Sequence, residues 1–151
     1  MIICKSLFFF SSFNSRSQSQ AFDALNEFLE GDSQNKEALE LKIKIALLLH
    51  KYTVAKQTAK TLLMLGGEES VFLDLYAQSL LLSGDFDGAE STYMRAYKLD
   101  PDSSFSFGQK YKQAKELNKL KKDGNEKVSK GKYEEAIQLY SNVSLQYCDY
   151  L

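Results

Sequence analysis

Few side chains in this sequence have the types and spacing that catalysis or metal binding requires. His50 is the only histidine, and with no acid–base partner near it in the pattern it is interpreted as a turn residue. The "GDFDG" stretch at 84–88 has two acids near a glycine, but it lacks the spacing and final glutamate of a calcium loop. Cys4 and Cys148 lie near opposite ends and form no metal-ligand cluster. No phosphate loop or Ser-His-Asp set is present, so we expect no enzyme, no cofactor and no metal site.

The composition gives no sign that the chain binds nucleic acid or a membrane. The 151 residues carry a net charge of −1, with 44% hydrophobic and 26% charged residues, which is ordinary for a soluble globular protein. Nothing in that balance requires nucleic acid or an anionic membrane as a partner. No run approaches the roughly 18 apolar residues of a membrane-spanning helix.

The first twenty residues, "MIICKSLFFFSSFNSRSQSQ", differ from the rest of the chain. Lys5 precedes a short apolar stretch, and a tail rich in Ser and Gln follows, which is the pattern of a weak secretory signal peptide. Three interpretations stay open for residues 1–20: a disordered leader, a targeting segment, or the start of a truncated chain.

From Ala21 onward, apolar residues recur at steps of three and four, which is the spacing of amphipathic helices. Asn35 has the side chain of an N-cap, Pro101 is a natural stop, and residues 103–104 are serines that can cap a long helix. No alternating strand pattern of useful length is present. The predicted helical segments are "AFDALNEFLEG", "NKEALELKIKIALLLHKY", "TVAKQTAKTLLMLGG", "ESVFLDLYAQSLLLSG", "DFDGAESTYMRAYKLDP", "KYKQAKELNKLKKDGNEKVSKG" and "KYEEAIQLYSNVSLQY".

These segments repeat with a period of about 34 residues. With Ser70 as position 1, positions 15, 17, 20 and 24 hold a turn residue, an aromatic residue, an alanine and a helix-packing residue. In the middle copy these are Gly84, Phe86, Ala89 and Tyr93. In the copy one period earlier they are His50, Tyr52, Ala55 and Ala59. In the last copy, which is delayed by an insertion, they are Gly131, Tyr133, Ala136 and Tyr140.

From about Ala21 to the end, the chain resembles the tetratricopeptide repeat family. The resemblance implies an all-α fold, a right-handed solenoid of antiparallel helix hairpins with one long linker helix. The implied division is a half repeat at 21–34, repeats at 36–69 and 70–103 (together one block, 21–103), a linker helix at 104–116, and a truncated second block at 117–151.

Residues 36 to 147 also resemble the repeat region of tetratricopeptide J-protein co-chaperones, because the insertion "KYKQAKELNKLKKDGNE" precedes "GKYEEAIQLYSNV". The cytosolic tetratricopeptide repeat protein 2 type is the closer of two branches, and the p58 type of the endoplasmic reticulum lumen is the alternative. The resemblance implies a fragment that lacks the His-Pro-Asp of a J domain. An adapter of an unrelated assembly remains the rival interpretation.

This second resemblance implies a role for two residues. In that family a carboxylate clamp grips the C-terminal tails of Hsp70 or Hsp90, and its first Lys and Asn correspond to Lys121 and Asn125. The remaining clamp positions would lie beyond Leu151, so we expect weak tail binding or none. The alternative is that Lys121 belongs to a solvated lysine-rich helix and that Asn125 has a packing role.

The resemblance also implies a concave groove lined by the first helix of each repeat. The groove positions are Glu37, Glu40, Lys44 and Leu47, then Val71, Asp74, Gln78 and Leu81. The second set is mildly apolar, which predicts that an exposed hydrophobic segment of a client polypeptide binds there.

Two further expectations concern location and assembly. The cytosolic branch implies a cytoplasmic protein, or one of the endoplasmic reticulum lumen if the leader is a signal peptide. Half repeats at both ends would leave apolar faces through which the chain could form a weak dimer.

Overall fold

A computed structural model describes residues 15–102 and 106–148, and within these ranges every element of regular secondary structure is a helix. The helices are α1 (Ser15–Gly31), α2 (Lys36–Leu48), α3 (Tyr52–Gly66), α4 (Ser70–Leu82), α5 (Phe86–Leu99), α6 (Phe107–Ser129) and α7 (Tyr133–Cys148). The all-α prediction is therefore confirmed for the part of the chain that the structure covers.

Helix α1 begins at Ser15, ahead of the predicted start at Ala21. The polar residues 17–19 are half-buried, so the helix continues beyond the apolar stripe on which its start was predicted. Residues 1–14 lie outside the described residues, and the interpretations of the leader as a signal, disordered or truncated segment stay predictions.

The helix boundaries follow the predicted period. Helices α2 and α4 begin at Lys36 and Ser70, and the step between them is the same as the step from the start of α3 to the start of α5. That step matches the repeat length of about 34 residues expected from the sequence. Helix α7 begins at Tyr133, which is later than one further period because of the insertion. The repeat period of the sequence is thus the interval, in residues, between the starts of equivalent helices.

The turn residue at position 15 has a positive φ in all three copies. Gly84 and Gly131 have φ angles of 80° and 71°, and His50 has a φ of 55°. Only glycine adopts this left-handed region without steric cost, which explains the two glycines. The interpretation of His50 as a turn residue is confirmed.

Position 20 holds a small residue in every copy, and position 8 holds Ala77 and Gly124 in the two later copies but Ile43 in the first. Ala55, Ala89 and Ala136 at position 20 are all buried. At position 8 of the last copy, a Cβ added to Gly124 would lie 2.7 Å from Cε1 of Tyr140. This position therefore needs glycine if α6 and α7 are to approach as they do.

The predicted long helix after Pro101 is present as α6, which runs for 23 residues without a break at the boundary proposed between 116 and 117. Its N-cap is Ser106, with a φ of 52° and no side-chain capping bond. The serines expected to cap it, at 103–104, lie outside the described residues.

The chain forms two compact units that divide between Ser83 and Gly84. In the first unit, α2 packs against α1 and α3, and α4 packs against α3 and also contacts α2. Its core is formed by apolar side chains of all four helices: Phe22, Leu29, Ala38, Leu39, Ile43, Ile45, Ala46, Ala55, Ala59, Leu62, Phe72 and Leu75.

In the second unit, α6 packs against α5 on one side and against α7 on the other. The largest fully buried side chains of this unit are Tyr93 on α5 and Phe107 and Leu117 on α6. Across the described helices of both units, none is long and apolar enough to cross a membrane.

Candidate protein-binding surfaces

The predicted groove residues of α2 form a mixed polar surface. Glu37 and Lys44 are exposed, and Glu40 is half-buried. The Lys44 ammonium lies 3.6 Å from a carboxylate oxygen of Glu40, one helical turn away. Leu47 is half-buried and packs against the core of the first unit, so it contributes to stability more than to the surface.

The predicted groove residues of α4 are more enclosed than those of α2. Val71 and Gln78 are half-buried, and the Gln78 amide donates a 2.9 Å hydrogen bond to Oδ2 of the buried Asp74. Leu81 has no exposed surface. The structure therefore does not present Leu81 to a ligand, and the apolar surface expected from Val71 and Leu81 is reduced to part of Val71.

Sequence reasoning omitted Leu41 from the groove. Its side chain is 43% exposed, whereas Leu39 and Ile43 of the same helix are buried. At helical spacing it shares a side of α2 with Glu37, Glu40 and Lys44. A signal was present in the sequence, because Leu41 falls out of phase with the buried Leu39 and Ile43.

We define this exposed side of α2, formed by Glu37, Glu40, Leu41 and Lys44, as the α2 face. It combines two carboxylates, one ammonium and one apolar side chain. Such a surface can accept hydrogen bonds from an extended peptide while giving one of its apolar side chains a partner.

The two residues of the predicted carboxylate clamp both have partners within the chain. Lys121 donates from Nζ to the Gly84 carbonyl at 2.8 Å, and this ammonium lies 5.1 Å from the centre of the Phe86 ring. Asn125 accepts a 2.7 Å hydrogen bond at Oδ1 from the hydroxyl of Tyr140. Both side chains thus connect α6 to neighbouring elements of its own unit.

A polar cluster that the sequence did not reveal joins α5 to α6. Asn118 is only 3% exposed, and its Nδ2 donates to Oδ1 of Asp87 at 2.9 Å and to Oε2 of Glu90 at 2.7 Å. The Lys122 ammonium also contacts Oδ1 of Asp87, at 2.6 Å. The cluster satisfies a buried amide and neutralises one of two carboxylates, so it fixes α6 on α5.

The charged groups of this cluster shift each other's pKa values. The hydrogen bond from Lys122, and then that from Asn118, holds the pKa of Asp87 below its usual value. The same contact with Asp87 raises the pKa of Lys122. Both shifts favour the charged forms, as expected for an ion pair.

The remaining sequence candidates have structural roles. Asp85 of "GDFDG" is the N-cap of α5, where its Oδ1 accepts from the Gly88 amide at 3.1 Å. Nδ1 of His50 lies 2.6 Å from the hydroxyl of Tyr52. Among the side chains that the structure describes, no group of three or more His, Cys, Asp or Glu residues is placed to bind a metal.

Comparison of the sequence with protein-family models and with curated proteins finds no match.

Proposed function

We propose that this chain is a protein-binding scaffold of tetratricopeptide type, whose α2 face holds an extended segment of a client polypeptide. The observation that carries the proposal is the repeated register of the helices. The starts of α2 and α4 are separated by the same step as those of α3 and α5, and the turn at position 15 has a positive φ in every copy. Repeats of about 34 residues stack neighbouring units into surfaces suited to polypeptide ligands.

The packing of the first unit supports the choice of surface. Helix α2 contacts α1, α3 and α4, and its buried residues Ala38, Leu39, Ile43, Ile45 and Ala46 belong to the core of the first unit. The α2 face stays accessible on a helix that is held from several sides. A rigid helix that presents exposed polar and apolar groups loses little conformational entropy when it binds a peptide.

The contacts of Lys121 and Asn125 favour a client segment over a chaperone tail as the ligand of this chain. A tail carboxylate would have to replace the Gly84 carbonyl at Lys121 and the Tyr140 hydroxyl at Asn125. Each exchange gives up an existing hydrogen bond, so the net gain is small. A co-chaperone role in the cytoplasm rests on the resemblance of residues 36–147 alone.

The proposal is tested by titrating a reduced and alkylated, permanently unfolded model protein with the full chain and following fluorescence anisotropy. Leu41→Asp should weaken binding at least tenfold, because it places a charge where the ligand buries an apolar group. Met64→Asp on α3 is the matched control, since Met64 is 74% exposed and lies outside the α2 face. Equal affinity of Leu41→Asp and the original chain would refute the proposal.

A further inference from the structure

Helix α1 carries a row of exposed carboxylates. Asp23, Glu27 and Glu30 follow one another at steps of four and three residues, so they lie along one side of the helix. All three residues are exposed, and none forms an ion pair with another residue that the structure describes. We define these three residues as the acidic row.

The exposure of this row is a feature of the repeat and does not depend on where the chain begins. One period later, the equivalent residues of α3 are Gln57, Thr61 and Met64. All three are exposed, although α3 packs against both α2 and α4. This side of the helix therefore faces solvent when two neighbouring helices are present, and a segment that precedes α1 need not cover it.

Helix α6 carries a matching row of lysines. Lys112, Lys115 and Lys119 follow one another at steps of three and four residues, which is the spacing of the acidic row in the reverse direction. These residues are also exposed, and none forms an ion pair within the described part of the chain. They lie on the side of α6 away from Gly124, where α6 meets Tyr140 of α7. We define them as the lysine row.

The two rows are complementary when an α1 helix and an α6 helix lie side by side and antiparallel. Equal spacing in opposite directions lets all the charges of one row face those of the other at the same time. Each carboxylate of the acidic row then faces an ammonium of the lysine row: Glu30 with Lys112, Glu27 with Lys115, and Asp23 with Lys119.

A fourth pair of opposite charges extends the match. Arg16 lies two turns before Asp23 on the same side of α1, and it is exposed. Glu126 lies two turns after Lys119 on the same side of α6, and it is exposed beside Lys130. In the antiparallel alignment Arg16 faces Glu126, so here the basic residue is on α1 and the acidic residue is on α6.

This reversed fourth pair disfavours the competing alignments. If α1 slides by two turns in one direction, Asp23 faces Glu126, and if it slides by two turns in the other, Arg16 faces Lys119. A parallel pairing in which Asp23 faces Lys119 brings Arg16 opposite Lys112. Like charges that face each other raise the free energy of a complex, so the charges specify both the register and the direction of the two helices.

We propose that the acidic row of one copy of this chain binds the lysine row of a second copy, with α1 and α6 antiparallel. The occupant is a second copy because the order of charges from Arg16 to Glu30 on α1 has its complement on α6 of the same sequence. Within one chain, both rows are exposed and neither forms an ion pair with another described residue. The rows share no residue with the α2 face, so this association is independent of the proposed function.

The chemistry of the rows predicts a weak association that depends on salt. Exposed ion pairs contribute little individually, and the Debye length falls from about 30 Å at 0.01 M salt to about 3 Å at 1 M. Each contact uses one row from each copy and leaves each copy a second row for a further contact. Such contacts either close into a symmetric assembly or extend into a chain of copies.

Sedimentation velocity of the full chain at several concentrations tests the proposal, in about 20 mM and about 500 mM NaCl. We expect the sedimentation coefficient to rise with protein concentration at low salt and to stay constant at high salt. Reversing the charges of either row should weaken the association at least tenfold. The acidic-row reversal is Asp23→Lys, Glu27→Lys and Glu30→Lys, and the lysine-row reversal is Lys112→Glu, Lys115→Glu and Lys119→Glu.

Two further variants separate this pairing from a general effect of net charge. A chain that carries both reversals has the original net charge and again has complementary rows, so it should associate as the original chain does. The control has the same net charge as the lysine-row reversal but changes three exposed lysines outside the row, and it should keep the association within about threefold: Lys36→Glu, Lys60→Glu and Lys98→Glu. Circular dichroism checks that each variant keeps its helices.

Four outcomes would overturn the proposal. The first is a sedimentation coefficient that does not change with concentration at low salt. The second is association that persists at high salt, which would indicate an apolar contact elsewhere. The third is a single-row reversal that associates as strongly as the original chain or no more weakly than the control. The fourth is a folded chain with both reversals that does not recover the association.

Discussion

The Lys121 ammonium and the Gly84 carbonyl oxygen lie 2.8 Å apart, so the best candidate for carboxylate binding is engaged with the turn before α5. The resemblance to chaperone-binding repeats implies that this lysine is available to a ligand. In the structure it is half-buried and close to the Phe86 ring. Its contacts make it a residue that helps to fix α6 in place.

Replacement of Lys121 tests this role. We expect Lys121→Met to lower the free energy of unfolding by about 1 kcal/mol, because a charge-assisted hydrogen bond is lost while the aliphatic contact is kept. Lys119→Met is the control on an exposed position of the same helix and should change stability by less than about 0.5 kcal/mol. Urea unfolding followed by circular dichroism measures both. A stability equal to that of the original chain would contradict the assignment.

Asn118 should contribute more to the stability of the fold than its position in a lysine-rich helix suggests. Asn118→Ala removes both hydrogen bonds from a buried site and should cost about 1–3 kcal/mol of stability. Asn142→Ala, on the exposed side of α7, is the matched control and should change stability little. The same urea titration decides the point, and equal midpoints for the two variants would show that the cluster has no stabilising role.

The lowered pKa of Asp87 predicts a direction for the dependence of stability on pH. A carboxyl whose pKa is lower in the folded than in the unfolded protein stabilises the fold at pH values above the ordinary aspartate pKa of 3.8, and this contribution is lost as the pH falls through the folded pKa. Because Lys122 is the largest cause of the shift, Lys122→Met should reduce the loss of stability between pH 6 and pH 3. Urea midpoints at the two pH values measure it. If Lys122→Met loses as much stability between pH 6 and pH 3 as the original chain, the Asp87–Lys122 pair does not contribute to the pH dependence.

His50 occupies a turn position where the two later copies have glycine. Because a non-glycine residue at a φ of 55° is strained, His50→Gly should raise the free energy of unfolding by about 0.5–1 kcal/mol. Gly84→Ala, at the equivalent turn with a φ of 80°, should have the opposite effect. The His50 ring bonds Tyr52, so Tyr52→Phe separates the loss of that bond from the relief of strain. Destabilisation by His50→Gly beyond that of Tyr52→Phe would contradict the explanation.

The sequence predicts the helices better than it predicts which side chains are available to a ligand. The repeat period, the stop at Pro101 and the turn at His50 are local or periodic features, and the structure has helix boundaries where they require. Leu81 and Lys121 were expected to face a ligand. Their burial and bonding depend on tertiary packing, in which residues such as Gly84 and Lys121 meet across 37 positions.

The position of Asn118 illustrates the same limit. Its two acceptors, Asp87 and Glu90, are 31 and 28 residues away on another helix, and no local pattern connects them. The exposed Leu41 is the reverse case, because its departure from the apolar phase of α2 is visible in the sequence. Local sequence patterns thus predicted the helices and their repeat period. Contacts between residues that are far apart in the sequence could be identified only from the structure.

Hydrogen–deuterium exchange of the full chain, with and without the unfolded model protein, tests the central claim most directly. The account predicts that the ligand slows amide exchange in the part of α2 that carries the α2 face, residues 37–44, while exchange in residues 133–145 of α7 stays unchanged. Protection confined to α7, or protection absent from α2 at a saturating ligand concentration, would contradict it.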